Sequence, residues 1–364
     1  MTNKAVIGLG FGDEGKGLTT DFLCSKTKNP LVIRFSGGHQ VGHTVVYNNI
    51  RHVFSNFGSG TLRGVPTYWS KFCTINPIGI INEINILWDF NKFPTLYIDE
   101  RCPVTTPYDI EANKYFEMQY NNGSTGVGYG KTIEREENFY SLTFLDLFYE
   151  NVFKEKLYQI KNYYKVGNLN ISKFIENCEE ITSFANKTFG IPKGYKNYIF
   201  EGSQGLMLDQ HFGFFPNVTR SNLGLKNIKE LINNKLELYL VTRAYQTRHG
   251  NGYMTNENII HNIKVDSNES NINNKYQGKF RRSLLDVSLL KYVINKDEHI
   301  RNIKNKNLVI TCLDHIENEL RFTYKGNIIY CNSKKSFAVR IGALLDINNI
   351  YISESAESKN INKV

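Results

Sequence analysis

The chain has 364 residues, 41 % hydrophobic and 13 % aromatic, enough to bury a substantial core in one large domain or two modest ones. It contains no run of about eighteen apolar residues, and "MTNK" leads straight into a strand pattern without a basic-then-apolar leader, so a cytoplasmic location is expected and a membrane partner is not. The formal net charge is +9, but the lysines are scattered among Asn and Ile, as in "IKNKNLVI", rather than gathered into the basic stripe that a nucleic acid requires. The six cysteines include no C-x-x-C pair, which argues against a disulfide framework or a structural zinc site and leaves six free thiols.

In chain order, the first buried strand is "KAVIGLG" (4–10), and it runs into "GFGDEGKG", a glycine-rich turn before a helix-like segment. Gly10, Gly15 and Lys16 stand at the G-x-x-x-x-G-K spacing of a phosphate-cradling loop, but Gly17 occupies the place of the Ser or Thr that would hold magnesium. Asp13 and Glu14 put negative charge in a loop meant for polyanions, and either could serve as an ordinary helix N-terminal carboxylate. A second strand, "PLVIRFS" (30–36), leads into "GGHQVGHTVV", where Gly37, Gly38 and Gly42 allow close backbone approach and His43 follows directly. Two such turns, carrying an Asp, a Lys and a His between them, make a nucleotide site with acid and base in place.

Amphipathic helix is expected between Leu142 and Phe184, then strands "NYIFEGS" (197–203) and "LELYLVTRAY" (236–245). The polar stretch from Asn256 to Phe280 reads as a loop, "DVSLLKYVINK" (286–296) as a helix and "NLVITCLD" (307–314) as a last buried strand. Alternating strands and helices predict an α/β fold, P-loop-like, with a mostly parallel central sheet flanked by helices, long active-site loops and ligands at the carboxyl ends of the strands. No repeat or linker divides residues 1–364, so a single domain is expected.

"GDEGKG" followed by "GGHQVGHTVV" resembles the adenylosuccinate synthetase family, and further matches follow in order: "GSTGVGYG" (123–130), "FEGSQGLMLDQHFGFFPNVTRSN" (200–222) and "AYQTRHGNG" (244–252). The resemblance runs from residue 5 to about residue 315. It implies a ligase of purine biosynthesis that phosphorylates the 6-oxygen of IMP with GTP and lets the amine of aspartate displace that phosphate. Asp13 would then take the proton from the purine ring nitrogen and also touch Mg2+, which explains a carboxylate in a phosphate loop. Lys16 would steady the transferring phosphate, His43 would stabilise charge on the phosphoryl oxygens, and Gln204 would lie near the purine 6-position. The Gly42 carbonyl would join Asp13 on the metal.

The same resemblance assigns nucleotide contacts to Gly12, Glu14, Gly15, Gly17, Gly42, Thr44 and Asp314, with Gln40, Thr125 and Thr219 on the monophosphate. Arg135 would reach that phosphate from a neighbouring subunit, implying a homodimer, although a surface pairing with Glu134 or Glu136 is an equal alternative. The arginine loop that grips aspartate in the family departs here to "YQGKFRRSLLD": Lys279 and Phe280 intrude, while Arg281 and Arg282 remain to hold a dicarboxylate. In the guanine-reading run, "TCLDH", Asp314 stays but Cys312 replaces a lysine, which leaves ATP open beside GTP. Two alternatives follow from these departures: an enzyme acting on dGMP to make 2-aminoadenylosuccinate, with ATP or GTP, or a non-catalytic purine nucleotide-binding paralogue.

Overall fold

The computed structural model of the chain describes residues 3–120, 123–264, 269, 277–317 and 319–364. Strand β1 (Asn3–Gly8) leads through the first glycine loop into α1 (Lys16–Lys26), followed by β2 (Pro30–Arg34) and the hairpin β3 (His43–Tyr47) and β4 (Ile50–Phe54). Next come β5 (Thr67–Trp69), α2 (Pro77–Asp89), β6 (Leu96–Asp99), α3 (Pro107–Tyr120) and α4 (Tyr129–Glu137). Helices α5 (Glu150–Tyr164) and α6 (Ser172–Phe184) precede β7 (Asn186–Thr188), β8 (Asn197–Gly205), α7 (Lys226–Leu231), β9 (Leu236–Arg243) and β10 (Tyr245–His249). The chain continues with β11 (Phe280–Leu284), α8 (Val287–Lys296), α9 (Glu298–Asn302), β12 (Lys306–Thr311) and the hairpin β13 (Leu320–Tyr324) and β14 (Asn327–Cys331). It ends with α10 (Lys334–Leu344), β15 (Asn349–Ile352) and β16 (Asn362–Lys363).

Ten strands form one sheet in the order β16-β15-β12-β9-β1-β8-β2-β5-β6-β7, parallel throughout except where β16 returns along β15. The five apolar runs legible in the sequence are its five adjacent central strands, β12, β9, β1, β8 and β2. Being covered on both faces, they read as continuous apolar runs, and their period-two alternation decides which face each residue serves. Val6, Val32, Ile199, Val241 and Val309 pack with Leu23 and Cys24 of α1. Ala5, Ile33, Phe200, Leu240 and Ile310 belong instead to the core built with α8 and α10. A third cluster lies under α2, α5 and α6 around Trp69.

The segment Leu142–Phe184 holds two helices rather than one run, because α5 ends at Lys165 in a left-handed conformation (φ 51°) and α6 starts anew at Ser172. The expected loop 256–280 falls partly outside the described residues. Its last residue, Phe280, opens strand β11, so Arg281 and Arg282 are held in a two-stranded ladder against β10. The short strands β5, β6 and β7 and the hairpins β3–β4 and β13–β14 carry too few residues each to stand out as periodic runs. Among the described residues no helix is long and apolar enough to cross a membrane.

The hairpin β3–β4 carries His43 and is anchored by Glu83 of α2. That buried carboxylate accepts from the amides of Ser55 and Asn56 at 3.2 and 2.8 Å and from Asn56 Nδ2 at 2.9 Å, and lies 3.2 Å from His52 Nε2. Glu83→Ala strands these donors in the interior and is expected to cost about 3 kcal/mol. A denaturant titration should show the loss as a lower unfolding midpoint with an unchanged slope.

Candidate active site

The informative motifs leave the carboxyl edge of the sheet after β1, β2, β8, β9 and β12, except "GSTGVGYG" (123–130), which joins α3 to α4. The loop after β1 is shaped by an internal anion: the amides of Gly10 and Gly12 donate to Glu14 Oε1 at 2.9 and 2.7 Å, and Lys16 Nζ lies 2.7 Å from Glu14 Oε2. Lys16 also donates to the Gly12 carbonyl at 2.6 Å. Burial opposes ionisation of Glu14, but Lys16 and the Gly12 amide hold its carboxyl below its ordinary range. Glu14 therefore lies where the loop would otherwise present its donors to a phosphate. The loop carbonyls are drawn outward, with Arg243 Nε of β9 donating to Asp13 O at 2.5 Å and Thr311 Oγ1 of β12 to Glu14 O at 2.7 Å.

Gly17 stands in the Ser/Thr position for a steric reason. A Cβ there would lie 2.8 Å from the Cβ of His43 and 3.0 Å from Ser59 Oγ, because the second glycine loop packs onto the start of α1. Gly15 begins that helix at φ 94°, a conformation that L side chains resist.

His43 is buried, with Nδ1 2.7 Å from Glu201 Oε1 and Nε2 3.3 Å from Ser203 O. Glu201 is fixed in turn by the Ser59 amide at 3.1 Å and by a short bond from the Ser59 hydroxyl. Burial depresses the His43 pKa, with Glu201 offsetting part of the effect, while His43 and Arg34 overcome burial to hold Glu201 below the usual carboxylate range. Nothing assigned Glu201 a role in the sequence. Its signal was a carboxylate inside the apolar run "NYIFEGS", where burial without a partner is too costly to tolerate.

Gly12, Asp13, Gly15, Lys16, Gly17, Gly42, His43, Thr44 and Asp314 line one cavity. Arg243, Thr311, Cys312, Ser355 and Ala356 line it too. Asp314 sits in a short turn after β12, entered through Cys312 at φ 57°. Burial raises the Asp13 pKa, and His249 and Arg243 pull against that rise. His249 Nε2 stands 3.6 Å from Asp13 Oδ2.

The acceptor-side candidates gather beside this cavity. His39 Nε2 lies 2.8 Å from Val127 O, Tyr129 donates to Arg220 O at 3.0 Å and the Gly37 amide donates to Ser221 Oγ at 3.2 Å. These bonds tie together the loops that carry Gln40, Thr125 and Thr219. Burial lowers the His39 pKa to about 4 despite the bond to Val127, so the ring is neutral there. Both amide atoms of Gln40 and Oε1 of Gln204 are buried with no hydrogen-bond partner, as expected of groups held for a ligand.

The arginine candidates separate. Arg281 binds Glu257 at 2.8 and 2.9 Å and the Gly252 carbonyl at 2.7 Å. Arg282 lies over Phe280, 5.0 Å from its centroid. Arg135 requires a correction: its guanidinium is fully buried and spent on Asp109 at 2.9 Å, Glu136 at 2.8 Å, the Val104 carbonyl at 2.9 Å and the Tyr140 carbonyl. It fastens α4 to α3 and does not present itself to a neighbouring subunit's phosphate. Arg248, unremarked in the sequence, is buried over Phe11 and donates to the carbonyls of Tyr253 and Asn217, with its pKa lowered to about 10 by burial and nearby Arg281.

Among the described residues no group of three His, Cys, Asp or Glu could hold a metal. The Asp13 carboxylate and Gly42 carbonyl are hard oxygen donors at the cavity wall, and a magnesium ion completed by phosphate and water oxygens requires no more than one or two from the protein.

A model of the adenylosuccinate synthetase family matches residues 5–351, well past the point near residue 315 where the motifs fade. The chain is 31% identical over 278 residues to the adenylosuccinate synthetase of Nitrosomonas eutropha, covering 69% of this chain and 64% of that protein. It is 30% identical over 353 residues to that of Buchnera aphidicola, covering 87% and 78%. The matched region thus spans a little under two thirds of the first relative. In fold, the chain resembles a fully ligated adenylosuccinate synthetase from Plasmodium falciparum, with a TM-score of 0.80 at 17% identity over 99% of both chains. It also resembles the succinoaminodeoxyadenylate synthetase of cyanophage S-2L bound to dGMP and dATP, with a TM-score of 0.63 at 13% identity over 100% of this chain and 96% of that one. A family match that begins in β1 and ends in β15 takes in every strand of the central sheet but β16, and the chain belongs to the adenylosuccinate synthetase family.

Proposed function

We propose that this protein is a ligase that forms adenylosuccinate from IMP and aspartate at the expense of GTP. The observation that carries this reading is the convergence on one cavity of Asp13 and Lys16 from the first glycine loop and His43, backed by Glu201, from the second. A protein that only bound nucleotide would gain nothing from a carboxylate beside the phosphate loop and a buried, oriented imidazole facing it.

In the first half-reaction Asp13 takes the proton from ring nitrogen 1 of the purine. The 6-oxygen then bonds to the γ-phosphorus as the bond to the leaving diphosphate breaks. His43, oriented by Glu201, donates toward the phosphoryl oxygens where charge accumulates, and Lys16 adds its ammonium. In the second half the neutral amine of aspartate bonds to carbon 6, the carbon–oxygen bond breaks and phosphate leaves; the amine sheds one proton and Asp13 releases the one it took, both to solvent. Asp13 and the Gly42 carbonyl would hold magnesium, which when bound neutralises charge on the phosphates. Gln40, Gln204, Thr125 and Thr219 would receive the monophosphate, Arg281 and Arg282 the carboxylates of aspartate, and Asp314 the base of GTP. The protein would act in the cytoplasm, as a homodimer whose phosphate-binding arginine is not Arg135.

Phosphate release, measured with GTP or ATP crossed with IMP or dGMP, each with and without aspartate and magnesium, tests the reading. Release that requires GTP, IMP, aspartate and magnesium together is expected. Release with dGMP alone would move the substrate to the 2-amino purine, and silence in every mixture would overturn the ligase. Asp13→Asn and His43→Asn should each lower kcat by about a thousandfold while still binding a non-hydrolysable GTP analogue.

The triphosphate must also displace Glu14 from the loop amides and Lys16. Glu14→Gln weakens that internal competitor, so the GTP analogue should bind about tenfold tighter by calorimetry, about 1.4 kcal/mol. Unchanged or weaker binding would mean that Glu14 shapes the loop without competing for it.

A further inference from the structure

Asp13 is bonded at its main chain and approached at its carboxylate, and both neighbours bear on one aromatic ring. Arg243 grips its main-chain carbonyl at 2.5 Å, and His249, which does not line the triphosphate cavity, places Nε2 3.6 Å from Oδ2 of its carboxylate. His249 is the last residue of β10 and pairs in register with Phe280, the first of β11; their rings pack at 4.7 Å between centroids, tilted by 39°. The guanidinium of Arg243 lies 5.9 Å from the Phe280 centroid and that of Arg282 lies 5.0 Å from it. Phe280 is one of the residues by which this arginine loop departs from the family pattern. Its ring supports the imidazole beside the catalytic carboxylate.

We propose that His249, seated on Phe280, is a positioning residue that orients the Asp13 carboxylate toward the purine ring nitrogen from outside the triphosphate cavity. The inference rests on Asp13 acting as the base. A carboxylate on a glycine-rich loop has two freely rotating side-chain torsions, and a base misplaced by about 1 Å can lose about a hundredfold in rate. His249 limits that freedom from outside the triphosphate cavity. Phe280 makes the orientation depend on the strand that also carries Arg281 and Arg282, so the amino-acid loop and the base are set by one ladder.

The test compares His249→Leu, His249→Gln, Phe280→Leu and the double variant H249L/F280L with the wild type, using phosphate release and calorimetric binding of IMP. His249→Leu should lower kcat about thirtyfold with KM for IMP and GTP within about twofold. His249→Gln, whose amide nitrogen can reach the position of Nε2, should recover most of the loss. Phe280→Leu should reproduce part of the defect, and the double variant should be no worse than H249L, because both act through one contact. A wild-type kcat in H249L, or effects of H249L and F280L that multiply, would overturn the proposal. So would no recovery in H249Q when its unfolding midpoint equals that of the wild type. A wild-type enzyme silent with every nucleotide pair would instead sink the ligase reading on which the proposal stands.

Discussion

The buried pair of Glu14 and Lys16 is the constraint on which the site depends. A glycine-rich loop between a strand and a helix exposes amides and a positive helix end, and with nothing to receive them it has no defined shape. Glu14 supplies that partner from within, drawing in the amides of Gly10 and Gly12 and the Lys16 ammonium. Such a pair is poor value as stability, because removing two charges from water costs nearly what their attraction returns. Its worth lies in geometry. With Arg243 and Thr311 holding the adjacent carbonyls, Asp13 is left as the carboxylate of the loop not committed to shaping it.

The second loop depends on the first. His43 packs directly over Gly17, so the residue that would bind magnesium in an ordinary phosphate loop has no room for a side chain. In the proposed reading the Asp13 carboxylate takes on that duty, and the same packing brings the His43 imidazole to the cavity wall. Glu201, rising from the adjacent strand β8, orients the ring through Nδ1 and is itself anchored by Ser59. Histidine chemistry at this edge is therefore a property of three strands and two loops together. Removing any one of them leaves a buried charge or a rotating ring.

Parts of this architecture were legible in the sequence for identifiable reasons. The five central strands are buried on both faces, which makes each a mostly apolar run ending in small or polar residues. The motifs that follow them are contiguous, so Asp13, Lys16, Gly42 and His43 could be placed without knowing the fold. Arg135 failed because a basic residue among acidic neighbours looks the same whether it is solvated or buried, and only the three-dimensional position of Asp109 decides between them. Glu201, Arg243 and His249 went unassigned because each acts on a residue far away in the chain, and spacing carries no trace of such contacts.

The sequence by itself determined the mostly parallel α/β sheet, the apolar runs that form its central strands and the two glycine loops at its carboxyl edge, because these follow from local periodicity and from backbone conformations that only glycine adopts readily. It also determined the family, through motifs contiguous enough to be matched. The tertiary structure alone decided that Glu14 fills the first glycine loop, that Glu201 stands behind His43, that Ser355 and Ala356 join the cavity lining and that His249, packed on Phe280, lies beside Asp13. The first is set by backbone geometry within one loop and the others by contacts between residues far apart in the chain, and their strength comes from desolvation and orientation, which exist only once the sheet is assembled.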